Sequence, residues 1–185
     1  MRTIAILTLA GTALFAAACE QQPAVDTNTA AVENEAVTDA AAPANTSAAA
    51  LPAAVDAETA KTVMHDRHEN FEKLGDAMKV IGRELDAGSP DLARVRTNAD
   101  TIAALAPQLP SWFPAGTGPD AGKTHAKAIV WEQPADFLAK ASDFDRAAQA
   151  FKTAAQGTDV AAIRTAQGEL GKTCKSCHDT YREKD

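Results

Sequence analysis

The sequence predicts an all-α protein, an antiparallel up-down-up-down four-helix bundle. Three observations predict it. Across residues 56–185 the apolar side chains recur at steps of three and four, the spacing of one helical face, and no sheet is visible. Clear stops divide this pattern into four stretches: Gly88-Ser89-Pro90, a long connection rich in Pro and Gly, and Gly157-Thr158. Each stretch carries one narrow apolar seam, and mostly short links set consecutive helices antiparallel.

The first helix is expected over residues 57–87, with Met64, Phe71, Leu74, Met78, Ile81 and Leu85 on its stripe. Arg67 breaks the rule by standing at a seam position. A cation there is costly unless it snorkels to solvent near a bundle end or meets an anion. Ser89 reads as the N-cap and Pro90 as the first-turn proline of the second helix, which carries Leu92, Val95, Ala99, Ile102, Leu105 and Leu109. Residues 110–133 form the long connection, where Trp112 and Trp131 are assigned to pin it against the bundle. The third helix starts near Pro134 and buries Phe137, Ala141, Phe144, Ala148, Phe151 and Ala155. The fourth spans about 159–182, with Val160, Ile163, Gln167, Leu170, Cys174, Cys177 and Tyr181 on one stripe.

That last stripe carries the chemistry. Cys174-Lys175-Ser176-Cys177-His178 is a C-x-x-C-H run, the sequence mark of covalent c-type haem attachment. Two thiols three residues apart share one side of a helix and add to the two vinyl groups of a haem. The adjoining imidazole then reaches the iron. The haem is expected inside the bundle near one end. A bare C-x-x-C also serves thiol–disulfide exchange or half a zinc site, but the His and the absence of strand–helix surroundings argue against both.

The remaining chain divides by composition. Residues 1–18 read as an export signal: Arg2, an apolar run too short to span a bilayer comfortably, and Ala16-Ala17-Ala18 before Cys19. The small residues ahead of Cys19 resemble a lipoprotein box, which makes Cys19 a lipid anchor. Ordinary cleavage leaving a free thiol is the other reading. Residues 19–55 read as a flexible tether with acidic groups and no Lys or Arg. Residues 56–185 form the haem domain. Export places the protein in the periplasm, with a membrane tie only through Cys19, and leaves no cysteine pair for a structural disulfide. The net charge of −7 and scattered basic residues exclude a nucleic-acid binder.

The run from Gly171 to Arg182, the pattern Arg67-x-x-x-Phe71-x-x-Leu74-Gly75, and the segment Trp112 to Gly118 with Ala126-Lys127 and Ile129-Val130-Trp131 carry a resemblance. Together they resemble the class II c-type cytochromes, cytochrome c′ and its low-spin relatives, over nearly all of residues 56–185. The resemblance implies Cys174 and Cys177 as thioether attachments of one haem c and His178 as the proximal iron ligand. It implies a propionate partner in Arg67, a basic group near the proximal pocket in Arg182, and Phe71 at the distal position facing the iron. Gln167 departs from the pattern, standing where many relatives carry a buried aromatic.

Phe71 decides the expected mechanism. Low-spin relatives hold a Met there, whereas Phe has no donor atom. The expected protein is therefore a five-coordinate haem protein that transfers electrons, binds NO- or CO-type diatomics that push the ring aside, or does both. The alternative is a six-coordinate low-spin carrier with a Met or His distal ligand. Met64 lies two turns from Phe71, about 10 Å along the axis; His68 is assigned to the surface or a propionate, and His65 and His125 to the surface or the loop. No distal His and Arg couple suited to splitting peroxide is evident, so no enzyme is expected. Implied partners are redox proteins, diatomic ligands and a second copy of the chain, although no exposed face reads as a dimer seam.

Overall fold

The computed structural model describes residues 50–184. The export signal, Cys19 and the tether up to residue 49 lie outside the described residues. Four long helices build the bundle: α1 (Ala57–Asp86), α2 (Leu92–Leu105), α4 (Pro134–Ala155) and α5 (Val160–Tyr181), with a short α3 (Ile129–Glu132) in the connection. Among the described residues there is no strand, only an isolated antiparallel bridge between Ala126 and Arg182.

An aspartate starts three of the long helices. Asp56, Asp91 and Asp159 each accept two backbone N–H groups of the following turn, those of Glu58 and Thr59, Ala93 and Arg94, and Ala161 and Ala162. Asp91 corrects the expected cap at Ser89. An ionised carboxylate answers the positive end of the helix dipole better than a hydroxyl does. The Asp91 N–H is itself taken by Glu84 Oε2 at 3.3 Å, so α2 begins two residues later than expected.

The helices pack in the order α1–α2–α4–α5, which closes three of four seams. The fourth seam, between α5 and α1, closes at one end only. There Ile81, Leu85, Val95, Phe151 and Ile163 are fully buried. Arg164 donates two hydrogen bonds to the Leu85 carbonyl, and Arg96 donates to the carbonyls of Ala155 and Gly157 at 3.0 and 3.1 Å. Both arginines thereby satisfy carbonyls left open at the ends of α1 and α4. Gln167, the departure from the family pattern, faces Gly82: a Cβ there would stand 3.8 Å from its Nε2.

The long connection is packed rather than loose. α2 runs directly into a 3₁₀ segment (Ala106–Trp112), so Leu109, expected on the α2 stripe, is buried from that segment instead. Trp112 and Phe113 are buried, and Trp131 Nε1 donates to the Pro114 carbonyl at 3.0 Å. The end of the expected tether also differs. Val55 N–H donates to Ala115 O at 3.2 Å, Ala115 N–H to Pro52 O at 3.1 Å, and Leu51 packs on the core. Gly116 permits this approach: its φ of 84° suits glycine, and a Cβ would crowd the Val55 carbonyl at 3.3 Å. At the other terminus Lys127 N–H donates to Tyr181 O and Glu183 N–H to His125 O, tying the connection to the end of α5.

Candidate haem-binding site

Where α1 and α5 part, a cavity of about 1110 Å³ opens, walled by α1, α4, α5 and the connection. It is slightly larger than ordinary ligand pockets, about 300–1,000 Å³. Helical spacing brings Cys174 and Cys177 to its α5 wall, half-buried against the core, with His178 exposed beside them. The floor is apolar, with Leu74, Ile102, Val130 and Phe144.

Electrostatics suit this donor set to a metal-bearing group. Burial pushes the Cys174 thiol up. It drives Cys177 to about 11, against the pull of the Lys140 charge and with Cys174 and Asp136 adding to the rise. Thiols of exchange catalysts have lowered pKa values, and this pair is shifted the other way. Desolvation, then the charge of Arg182, lowers His178, while Asp179 opposes them. A neutral imidazole is the form that ligates a metal.

The α1 wall presents Phe71. Its ring meets Trp112 edge-on at 5.4 Å between centroids and Phe113 at 6.2 Å. Phe113 continues to Phe137 at 4.8 Å and Phe137 to Tyr181 at 5.3 Å, so one aromatic chain joins the α1 wall to the α5 wall. Tyr181 donates its hydroxyl to Asp136; desolvation foremost, then that carboxylate, raises its pKa. Other donors line the same cavity at different positions. Met64 packs against Gly122, whose Cβ position lies 3.4 Å from the Met64 methyl. Met78 lines the wall two turns beyond Phe71. His68 pairs with Glu72 at 3.3 Å on the exposed rim, which His65 and His125 also line.

Arg67 departs from the snorkelling expectation. It does not snorkel, being 4% exposed. Its Nη1 donates to Trp112 O and Thr117 Oγ1 at 3.3 and 3.1 Å, and its Nη2 to Thr117 O and Thr124 Oγ1 at 3.0 and 3.1 Å. The group lies over Phe113 and Trp131 at 4.8 and 5.7 Å. Oxygens of the connection thus engage both Nη groups, and Arg67 also lines the cavity. Burial lowers its pKa to about 10, which leaves it charged at neutral pH. Arg182 follows α5 directly, lines the cavity and acts on His178 through its charge. Sequence reasoning missed Thr117, Thr124 and Lys140; nothing local marks them, since each meets its partner across 36 to 57 residues.

Two half-buried thiols, a neutral imidazole, an apolar floor and lining cations fit an iron porphyrin with two carboxylates. Comparison with known proteins agrees: the family model described as Cytochrome C′ matches residues 62–182. The chain belongs to the cytochrome c′ family. A cytochrome c′ of Pararhodospirillum photometricum is 39% identical over 63% of this chain and 93% of its own length. Among solved structures, a cytochrome c′ with ligand-controlled dimer dissociation is 29% identical. It covers 71% of this chain and 100% of its own at a TM-score of 0.63. A nitric oxide complex of a mutant cytochrome c′ from Alcaligenes xylosoxidans is 25% identical, covering 71% and 99%, with a TM-score of 0.60. The four-helix fold and one covalently attached haem c are family properties, and this chain is a haem protein of that family.

Proposed function

We propose that this chain is an exported haem c protein that binds small neutral diatomics and exchanges single electrons, without being an enzyme. Cys174 and Cys177 are the thioether attachments and His178 the axial ligand. When bound, the haem supplies a one-electron couple and an iron open to NO or CO. The observation that carries the reading is Phe71 on the α1 wall of the cavity that Cys174, Cys177 and His178 line from α5. Its ring offers no donor, and Met64 and Met78 each lie seven residues away, about 10 Å along the helix axis. Trp112 and Phe113 hold the ring edge-on, so an apolar group with no donor faces the site. A diatomic enters by displacing it. The nitric oxide complex of the Alcaligenes relative supports the diatomic-binding part of this reading. Export to the periplasm and an anchor at Cys19 belong to the same proposal. No helix of the described residues is long and apolar enough to cross a membrane.

The test is an absorption spectrum of the reduced protein with and without CO. A high-spin ferrous spectrum that shifts with CO is expected; a six-coordinate spectrum indifferent to CO overturns the open site. Pigment that leaves the denatured polypeptide overturns the attachment at Cys174 and Cys177.

A further inference from the structure

His178 sits in the last turn of α5, where a helix leaves its final carbonyls without partners of its own. One residue of the connection answers two of them. Lys127 donates its backbone N–H to Tyr181 O at 2.9 Å and its ammonium to Thr180 O at 3.3 Å. Beside it, Glu183 N–H donates to His125 O at 2.8 Å, and Ala126 bridges to Arg182. The Arg182 N–H in turn donates to the His178 carbonyl at 3.2 Å, closing the turn on the residue that bears the imidazole. Lys127 is itself fixed from the core, because the fully buried Val130 donates its N–H to the Lys127 carbonyl at 3.2 Å. The cation also stands at the negative end of the α5 dipole, where a charge-assisted bond to a carbonyl is stronger than a neutral one. Lys127 is half-buried and does not line the cavity, although Ala126 and Val130 do. Its influence on a bound haem therefore runs through α5.

We infer that Lys127 is the positioning residue of His178: it clamps the last turn of α5 and so holds the imidazole in one orientation toward the iron. The inference rests on the haem reading above and adds a residue to it. Groups behind a metal ligand fix its direction as much as the ligand's own side chain does. A helix end frays readily, and a fraying turn lets the imidazole tilt. Tyr181 holds the inner side of the same turn through Asp136 and Phe137, while Lys127 holds its carbonyl end.

The test uses the haem-loaded full chain and two readouts. Hydrogen exchange at the Arg182 amide reports opening of the turn, and Lys127→Met is expected to speed it at least about tenfold, the loss of one charge-assisted bond. The iron–histidine stretching band of the ferrous protein in resonance Raman is expected to shift and broaden in the same variant. Lys127→Arg keeps the charge and a donor and is expected to restore both readouts. Lys127→Gln keeps a neutral donor, is expected to give intermediate changes, and serves if Lys127→Met loads haem poorly. Arg164→Met removes a cation of the same kind from the Leu85 carbonyl at the far end of α1 and is expected to lower stability without moving the band. An unmoved band or unchanged Arg182 exchange in Lys127→Met, or an equal band shift in Arg164→Met, overturns the positioning role. A wild-type chain with no iron–histidine band overturns the haem reading, and the inference with it.

Discussion

α1 and α5 meet at one end of the molecule and part at the other. At the closed end Ile81, Leu85 and Ile163 are fully buried, Gln167 faces Gly82, and Arg164 ties the end of α1. At the open end the same two stripes present Phe71, Met78, Cys174 and Cys177, all half-buried, across a cavity. Periodicity does not distinguish the two ends. What separates them is the connection, which Arg67 draws over the top of α1 and which pairs with the end of α5 beyond Tyr181. The bundle is held by its closed end, and the open end is shaped by the connection.

Four changes test that division, in order of falling effect on stability. Phe151→Ala, in the closed end, is expected to cost about 3–5 kcal/mol in urea unfolding while leaving the CO difference spectrum intact. Arg67→Met is expected to cost about 2–3 kcal/mol, by removing charge-assisted bonds to Trp112, Thr117 and Thr124. It also loosens the rings beside Phe71, so CO association in stopped-flow accelerates; an unchanged association rate separates the connection from the Phe71 gate. Phe71→Leu is expected to cost under about 1.5 kcal/mol. It speeds CO association by roughly tenfold if about 1.4 kcal/mol of ring displacement is relieved. The smallest effect concerns the N-terminus of α1. Backbone bonds from Thr59 foremost hold the Asp56 carboxyl below its ordinary 3.8. The cap is therefore present above that value and lost as pH falls through the lower folded one. Hydrogen exchange at Glu58 and Thr59 should rise in that acid range, and Asp56→Asn should abolish the pH dependence.

Much of this was legible along the chain, because helices and their seams are local. All four long helices follow from apolar steps of three and four, and the three thiol and imidazole groups share a helix because the motif is contiguous. The start of α2 was misread because a hydroxyl before a proline looks like a cap, while the stronger carboxylate stood two residues on. The tether was ended too late because Leu51 and Val55 gain their partners from Ala115 and the core, sixty residues away in sequence.

Arg67 shows the limit most clearly. Its seam position announced a cation that must either reach solvent or find a partner, but not which. By itself the sequence determined the helical bundle and the haem-bearing end of the last helix, since both are written in spacings shorter than two turns. Only the tertiary structure decided that Thr117 and Thr124 answer Arg67, and that Phe71 leans on Trp112 and Phe113. Those partners lie tens of residues apart, and nothing but the packing of the connection across α1 brings them together.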